Sequence, residues 1–218
     1  MIFDDLDKCI NNMNEIKELE QSSDDLQRQE RIENIFKGCI SETIKMVNAV
    51  QKGYVEFSFK ISLEQKQNLL KLIKEYERSM NTQKIREDRV VYLQKECNSV
   101  KKEIAREWDR WYTNFSSPVI NMLQNVKKIV ENQDKVTFAI NKIKEGKNWD
   151  FKIEVLDRMK KGRMEADDII RNLGLIKEVS IFLEKVSSGN ATLSDLNDKV
   201  IRWLEEKKMA ERLSISFR

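Results

Sequence analysis

The chain of 218 residues contains no histidine, and that omission removes more chemistry than any other feature of the sequence. Without imidazole there is no Ser-His or Cys-His nucleophile pair, no His-containing zinc site and no Glu-x-x-His element of a di-iron bundle. Acid–base work would fall to carboxylates and lysines. Adjacent acids occur at Asp24/Asp25 and Asp167/Asp168, a pairing able in principle to hold Mg²⁺, but neighbours on a helix do not share a face. None of the six glycines falls in a phosphate-cradling pattern; Gly146-Lys147-Asn148 lacks both the upstream glycine and the following hydroxyl residue. The expectation is no catalytic residue, no metal site, no cofactor and no small-molecule substrate. An enzyme built on carboxylates and lysines alone is the residual alternative.

Binding chemistry is better represented. Trp108, Trp111 and Tyr112 cluster with Arg106 and Arg110, the residue types that anchor protein interfaces, so Trp108, Trp111, Tyr112 and Arg110 are candidate contacts for another chain. The competing expectation is that these aromatics close a helical core against Val119 and Leu123. Basic residues gather at Lys127-Lys128 and in Arg158, Lys160, Lys161 and Arg163. Phosphate neutralisation by such groups gives salt-dependent nucleic-acid binding, although cations at a helix end also serve the macrodipole. Net charge is +3 and unevenly spread: residues 1–50 carry six Lys/Arg against eleven Asp/Glu, and the remainder 34 against 26. Cys9, Cys39 and Cys97 are widely separated and odd in number, which disfavours a disulfide framework. With no basic, apolar leader at Met1-Ile2-Phe3 and no run of 18 apolar residues, the expectation is a cytoplasmic protein that does not enter a membrane.

The elements that position these groups are helices. One proline and six glycines in a chain that is 35% charged leave long stretches without punctuation. Ile2, Leu6, Cys9, Met13 and Ile16 recur at four-three-four-three spacing, one helical stripe. Ser22-Ser23-Asp24-Asp25 offers caps for a second helix, whose buried face is Ile32, Ile35, Phe36, Cys39, Ile40, Ile44 and Val47 and whose natural stop is Gly53. Val55, Phe57, Phe59 and Ile61 alternate with polar residues, as do Leu213, Ile215 and Phe217, predicting two strands paired in a ribbon. Ser62 and Gln65 form a capping box. The seven-residue series from Leu69 through Tyr76, Gln83, Val90, Cys97 and Ile104 to Trp111 predicts a long coiled-coil-like helix, with Asn81-Thr82 as a candidate break. Ser117-Pro118 reads as a fresh helix start.

The expected architecture is therefore all-α: an elongated helical bundle with a long coiled-coil-like helix and a minor two-stranded β ribbon. Its expected parts are a helical hairpin plus strand (1–61), the long helix (62–116) and a C-terminal helical region ending in a strand (117–218). The expected function is a non-enzymatic scaffold, adaptor or assembly subunit binding protein partners or itself, with residues 62–115 as a dimer seam. The alternative is an accessory subunit of a nucleic-acid-processing complex touching DNA or RNA through basic C-terminal surfaces.

Overall fold

The computed structural model describes residues 2–82, 84–127 and 130–209, and within them the side chains of residues 15 and 21 and from residue 23 onward. All regular structure among these residues is helical: α1 Ile2–Phe57, α2 Leu63–Met80, α3 Glu87–Val126, α4 Gln133–Glu145, α5 Ile153–Leu173, α6 Lys177–Ser187 and α7 Asp198–Glu206, with 3₁₀ turns at Gly146–Asn148 and Leu193–Asp195. The molecule is an all-α bundle. Among the described residues no helix is long and apolar enough to cross a membrane. The chain divides into two compact units, Met1–Val47 with Ile61–Ile104, and Asn48–Lys60 with Ala105–Arg218.

In the first unit α1 and α3 run parallel and α2 antiparallel to both. The pairings Arg28–Glu87, Thr43–Cys97 and Glu42–Lys101 climb α1 and α3 together. Arg89–Glu75 and Gln65 on the Glu103 carbonyl climb α3 while descending α2. Inward positions recur at three and four: Ile32, Phe36, Cys39, Thr43 and Met46 on α1; Leu69, Leu72 and Tyr76 on α2; Val90, Leu93, Cys97, Val100 and Ile104 on α3. The Ser62–Gln65 capping box is formed, at 3.1 and 2.8 Å.

Several local expectations give way to longer-range packing. Residues 22–25 do not start a new helix, and α1 is one rod, not a hairpin. Serine and aspartate inside a helix cost only up to about 0.7 kcal/mol each, and with no Gly or Pro there nothing forces a break. Gly53 does not stop α1; a Cβ there would lie 3.3 Å from Phe59, so glycine admits the returning aromatic. The predicted strand at 55–61 is absent. Ser58, at φ 58°, closes α1 with its N–H on the Tyr54 carbonyl, an αL cap, and the alternation reflects Phe57 and Phe59 turning inward on either side of it. Its expected partner strand, Leu213 to Phe217, lies outside the described residues, as does Gln83. The helix over 62–115 is interrupted at 81–86, so its seven-residue series is divided between two antiparallel helices.

In the second unit Pro118 lies inside α3 and does not restart it. Proline in a helix interior costs about 3 kcal/mol, but burying Val119, Leu123 and Val126 returns about 1.5–3 kcal/mol each. One core joins Val119 and Leu123 of α3 to α4 and α5; a second gathers Val126 of α3 with α5, α6 and α7 around Phe182, Leu183, Trp203 and Met209. Gly174, at φ 61°, ends α5 before Ile176. Its last carbonyls are satisfied from α7 and the turn after it: Trp203 Nε1 donates to Leu173 O at 2.7 Å and Lys207 Nζ to Asn172 O at 2.8 Å. Unpaired carbonyls at a helix end need such partners.

Candidate functional site

The aromatic cluster belongs to the second unit, where α3 meets the end of α4 and the turn after it. Trp108, 2% exposed, donates its indole N–H to Gly146 O at 2.9 Å, and the Tyr112 hydroxyl donates to Ile143 O at 3.1 Å. Both bonds cap carbonyls at the C-terminal end of α4. Burial pushes the Tyr112 phenol above its ordinary value, so it stays neutral and able to donate. Around them stack Phe59, Trp149 and Phe151, with Trp108 and Trp149 centroids 4.3 Å apart. Trp111 is half-buried against Phe57 and Phe115. Arg110 alone of the four interface candidates faces solvent, beside Glu107 at 3.4 Å. Trp108 and Tyr112 thus spend their surface inside the chain. Trp149 Nε1 is buried without a hydrogen-bond acceptor; its ring stands edge to face with Phe59.

The basic segment is mid-helix in α5, not at a helix end. Arg158 is held by Glu145, Lys160 by Glu56, and Arg163 by both oxygens of Asp167 at 3.0 and 3.1 Å. Arg163 also lies over the Phe115 ring at 5.3 Å. Glu145, between Lys142 and Arg158, is held below its ordinary pKa by hydrogen bonds from Lys142 and then Arg158. Lys161 is exposed, Lys127 is half-buried, and Lys128 lies outside the described residues. The chain's own carboxylates therefore already answer much of this cationic charge. Asp168 pairs with Arg171 at 3.4 Å. No group of three or more potential metal ligands occurs among the described residues.

The first unit carries a polar layer in its core. Thr43 Oγ1 donates to Cys39 O at 2.9 Å and lies 3.2 Å from the Tyr76 hydroxyl and 3.5 Å from Cys97 Sγ. Cys39 and Cys97 are free and buried. Burial pushes the Cys39 thiol up, with Cys97 adding to it, which suppresses the nucleophilic thiolate.

The surface feature that sequence reasoning missed is a groove between α1 and α3 in this unit, about 440 Å³. Ile32 and Val90 form its buried floor, Ile35 and Val91 its lips at 39% and 59% exposed, and Arg28 and Arg31 line it. Along α1, from residue 23 to residue 31, every side chain is exposed except the half-buried Gln29; Leu26 is 65% exposed. A signal for the groove was present in the sequence: Ile35-Phe36 and Val90-Val91 are consecutive apolar pairs, which cannot face the same side of a helix. No protein-family model matches the chain, and comparison with curated proteins and with solved structures likewise gave no match.

Proposed function

We propose that the chain is a non-enzymatic scaffold or assembly subunit of the cytoplasm that binds protein through exposed helix faces, in a coiled-coil-like manner. The observation that carries this reading is α1 itself. Among the described side chains its inward stripe begins at Ile32, whereas residues 23–31 are exposed nearly all round and Leu26, Ile35 and Val91 present apolar surface. Helices in water draw most of their stability from packing an apolar face, so a length of helix left unpacked beside an apolar groove is completed by another helix. The seam expected over residues 62–115 serves less well, because its apolar residues Tyr76, Val90, Cys97 and Ile104 are consumed in the chain's own core. Nucleic-acid binding through Arg158, Lys160 and Arg163 draws less support, since carboxylates already pair with all three.

The test is retention of protein by the tagged full chain and by its Ile35→Asp/Val91→Asp variant. A partner held by the natural chain and released by the variant supports the reading. Retention that is identical for both contradicts it.

A further inference from the structure

We infer that the outer face of α2 is a seam on which two copies of this chain pair, the two α2 helices running antiparallel about a two-fold axis that crosses between Lys71 and Leu72. This extends the scaffold reading to a face other than the α1/α3 groove and names the partner for it.

The seam lies one residue along from the positions that α2 buries. Leu69, Leu72, Tyr76 and Ser79 face the core of the first unit. The next positions, Leu70, Ile73, Glu77 and Met80, with Leu63 and Lys66 ahead of them, recur at spacings of three and four, a second helical stripe. Ile73 is half-buried and the other five are exposed, Leu63 at 72%, Leu70 at 57% and Met80 at 56%. The heptad register through Leu69 and Tyr76 is thus used inside the unit, whereas this one presents leucine, isoleucine and methionine on a side open to solvent, over about 25 Å of helix.

The two charges in the stripe select both occupant and direction. Lys66 and Glu77 lie equally far from the point between Lys71 and Leu72, as do Leu63 and Met80, and Leu70 and Ile73. Two antiparallel copies centred there set Leu63 against Met80, Lys66 against Glu77 and Leu70 against Ile73, so each charge meets its opposite and each apolar side chain meets another. Parallel copies set Lys66 on Lys66 and Glu77 on Glu77, and like charges at an interface are costly. An antiparallel register displaced by one heptad sets Lys66 on Leu70 or Glu77 on Ile73, which leaves a charge unpaired among apolar side chains. Neither Lys66 nor Glu77 is spent in an ion pair among the described residues. The other charges of α2 stay out of the seam. Glu75 is taken by Arg78 and by Arg89 of α3, Glu64 and Lys71 turn away from the stripe at 3.6 residues per turn, and Lys74 flanks it beside Gln67 of the other copy. The same face serves both copies, so the pair closes on itself.

Light scattering on the full chain at about 200 µM, which populates a dimer of micromolar affinity, is expected to give twice the 25.9 kDa of one chain. Leu70→Asp and Lys66→Glu, both at exposed positions, are expected to weaken the dimer by about tenfold or more with an unchanged helical spectrum. The double variant Lys66→Glu/Glu77→Lys, which restores opposite pairs only in the antiparallel arrangement, is expected to bring the dimer back. A monomer at that concentration, a dimer indifferent to Leu70→Asp or to Lys66→Glu, or a double variant no tighter than Lys66→Glu alone overturns the inference. If the chain is monomeric yet another protein is released by the Ile35→Asp/Val91→Asp variant, this inference falls and the scaffold reading stands. A dimer with the expected responses, beside protein retention that Ile35→Asp/Val91→Asp leaves unchanged, keeps this inference and removes the groove from the scaffold reading. If neither is seen, both fall.

Discussion

Replacing Gly162 by alanine isolates the contact that holds α4 against α5. In an isolated helix the change is favourable by about 1 kcal/mol, because glycine surrenders the most backbone entropy on ordering. Here the added Cβ meets Lys142 Cβ at 2.6 Å, Ala139 O at 2.9 Å and Ile143 N at 3.0 Å. Two of these three atoms are backbone and cannot rotate aside. Restoring ordinary carbon contacts of about 3.5–4.0 Å moves the helices apart by about 0.5–1 Å, and such a gap forfeits a quarter to a half of each dispersion contact along the seam. That seam includes Ala139, Ile140, Ile143 and Ala166. Overpacking of this kind costs about 1–3 kcal/mol on top of the gap. Packing therefore outweighs propensity, and Gly162→Ala is expected to destabilise the second unit by about 1–2 kcal/mol, lowering its melting temperature by roughly 2–8 °C. The assay is thermal unfolding followed by tryptophan fluorescence, since Trp108, Trp111, Trp149 and Trp203 all belong to that unit. A variant that melts at or above the natural chain refutes the close approach of the two helices.

Four further outcomes are expected. Gly38→Ala, with nothing within 4 Å of the new methyl, stabilises the first unit by about 1 kcal/mol, read from the far-ultraviolet transition; a loss of stability contradicts it. Trp108→Phe strands the buried Gly146 carbonyl and costs about 1–3 kcal/mol, more than Trp111→Phe at a half-buried ring; urea midpoints in the reverse order count against the capping role. Asp195 is held down to about 2, first by Lys185 and then by hydrogen bonds from Thr192. Since its folded value lies below the unfolded one, its stabilisation is complete above about pH 4 and disappears between about pH 4 and pH 2. Asp195→Asn should then melt lower than the natural chain at pH 7 and level with it at pH 2; an undiminished gap at pH 2 removes the carboxylate from the explanation. Cys39 and Cys97 should resist iodoacetamide in the folded chain and react on unfolding, as mass spectrometry of alkylated peptides would record; rapid labelling of either before unfolding contradicts their burial.

What the sequence made legible was mostly local. The helical class follows from heptad spacing and scarce glycine and proline, the Ser62–Gln65 box from its own four residues, and the break near Asn81 from a polar patch within an otherwise apolar series. Misreadings arose where a local signal has two meanings. Ser22 to Asp25 can cap a helix or ride inside one, and Pro118 can begin a helix or be tolerated in one. The choice was made by burial of Ile32, Phe36 and Cys39 in the first case and of Val119 and Leu123 in the second. Alternation at 55–61 mimicked a strand because two aromatics flank a left-handed cap held by a non-glycine, Ser58. The site was less legible still. Trp108 and Tyr112 look like interface anchors until their acceptors appear on Gly146 and Ile143, 38 and 31 residues further along. Ile35 and Ile44 read as core from spacing alone, yet the apolar positions on α1 are more numerous than one face can bury, and both fall on the exposed side.

The account depends most on α1 being one uninterrupted helix. Spin labels at Glu15→Cys and Lys45→Cys, with the native cysteines replaced by alanine and the labelled chain diluted in unlabelled chain, measure this directly. Thirty residues of helix predict a separation of about 45 Å. A distance of about 10–20 Å, as in two antiparallel helices packed side by side, would contradict it.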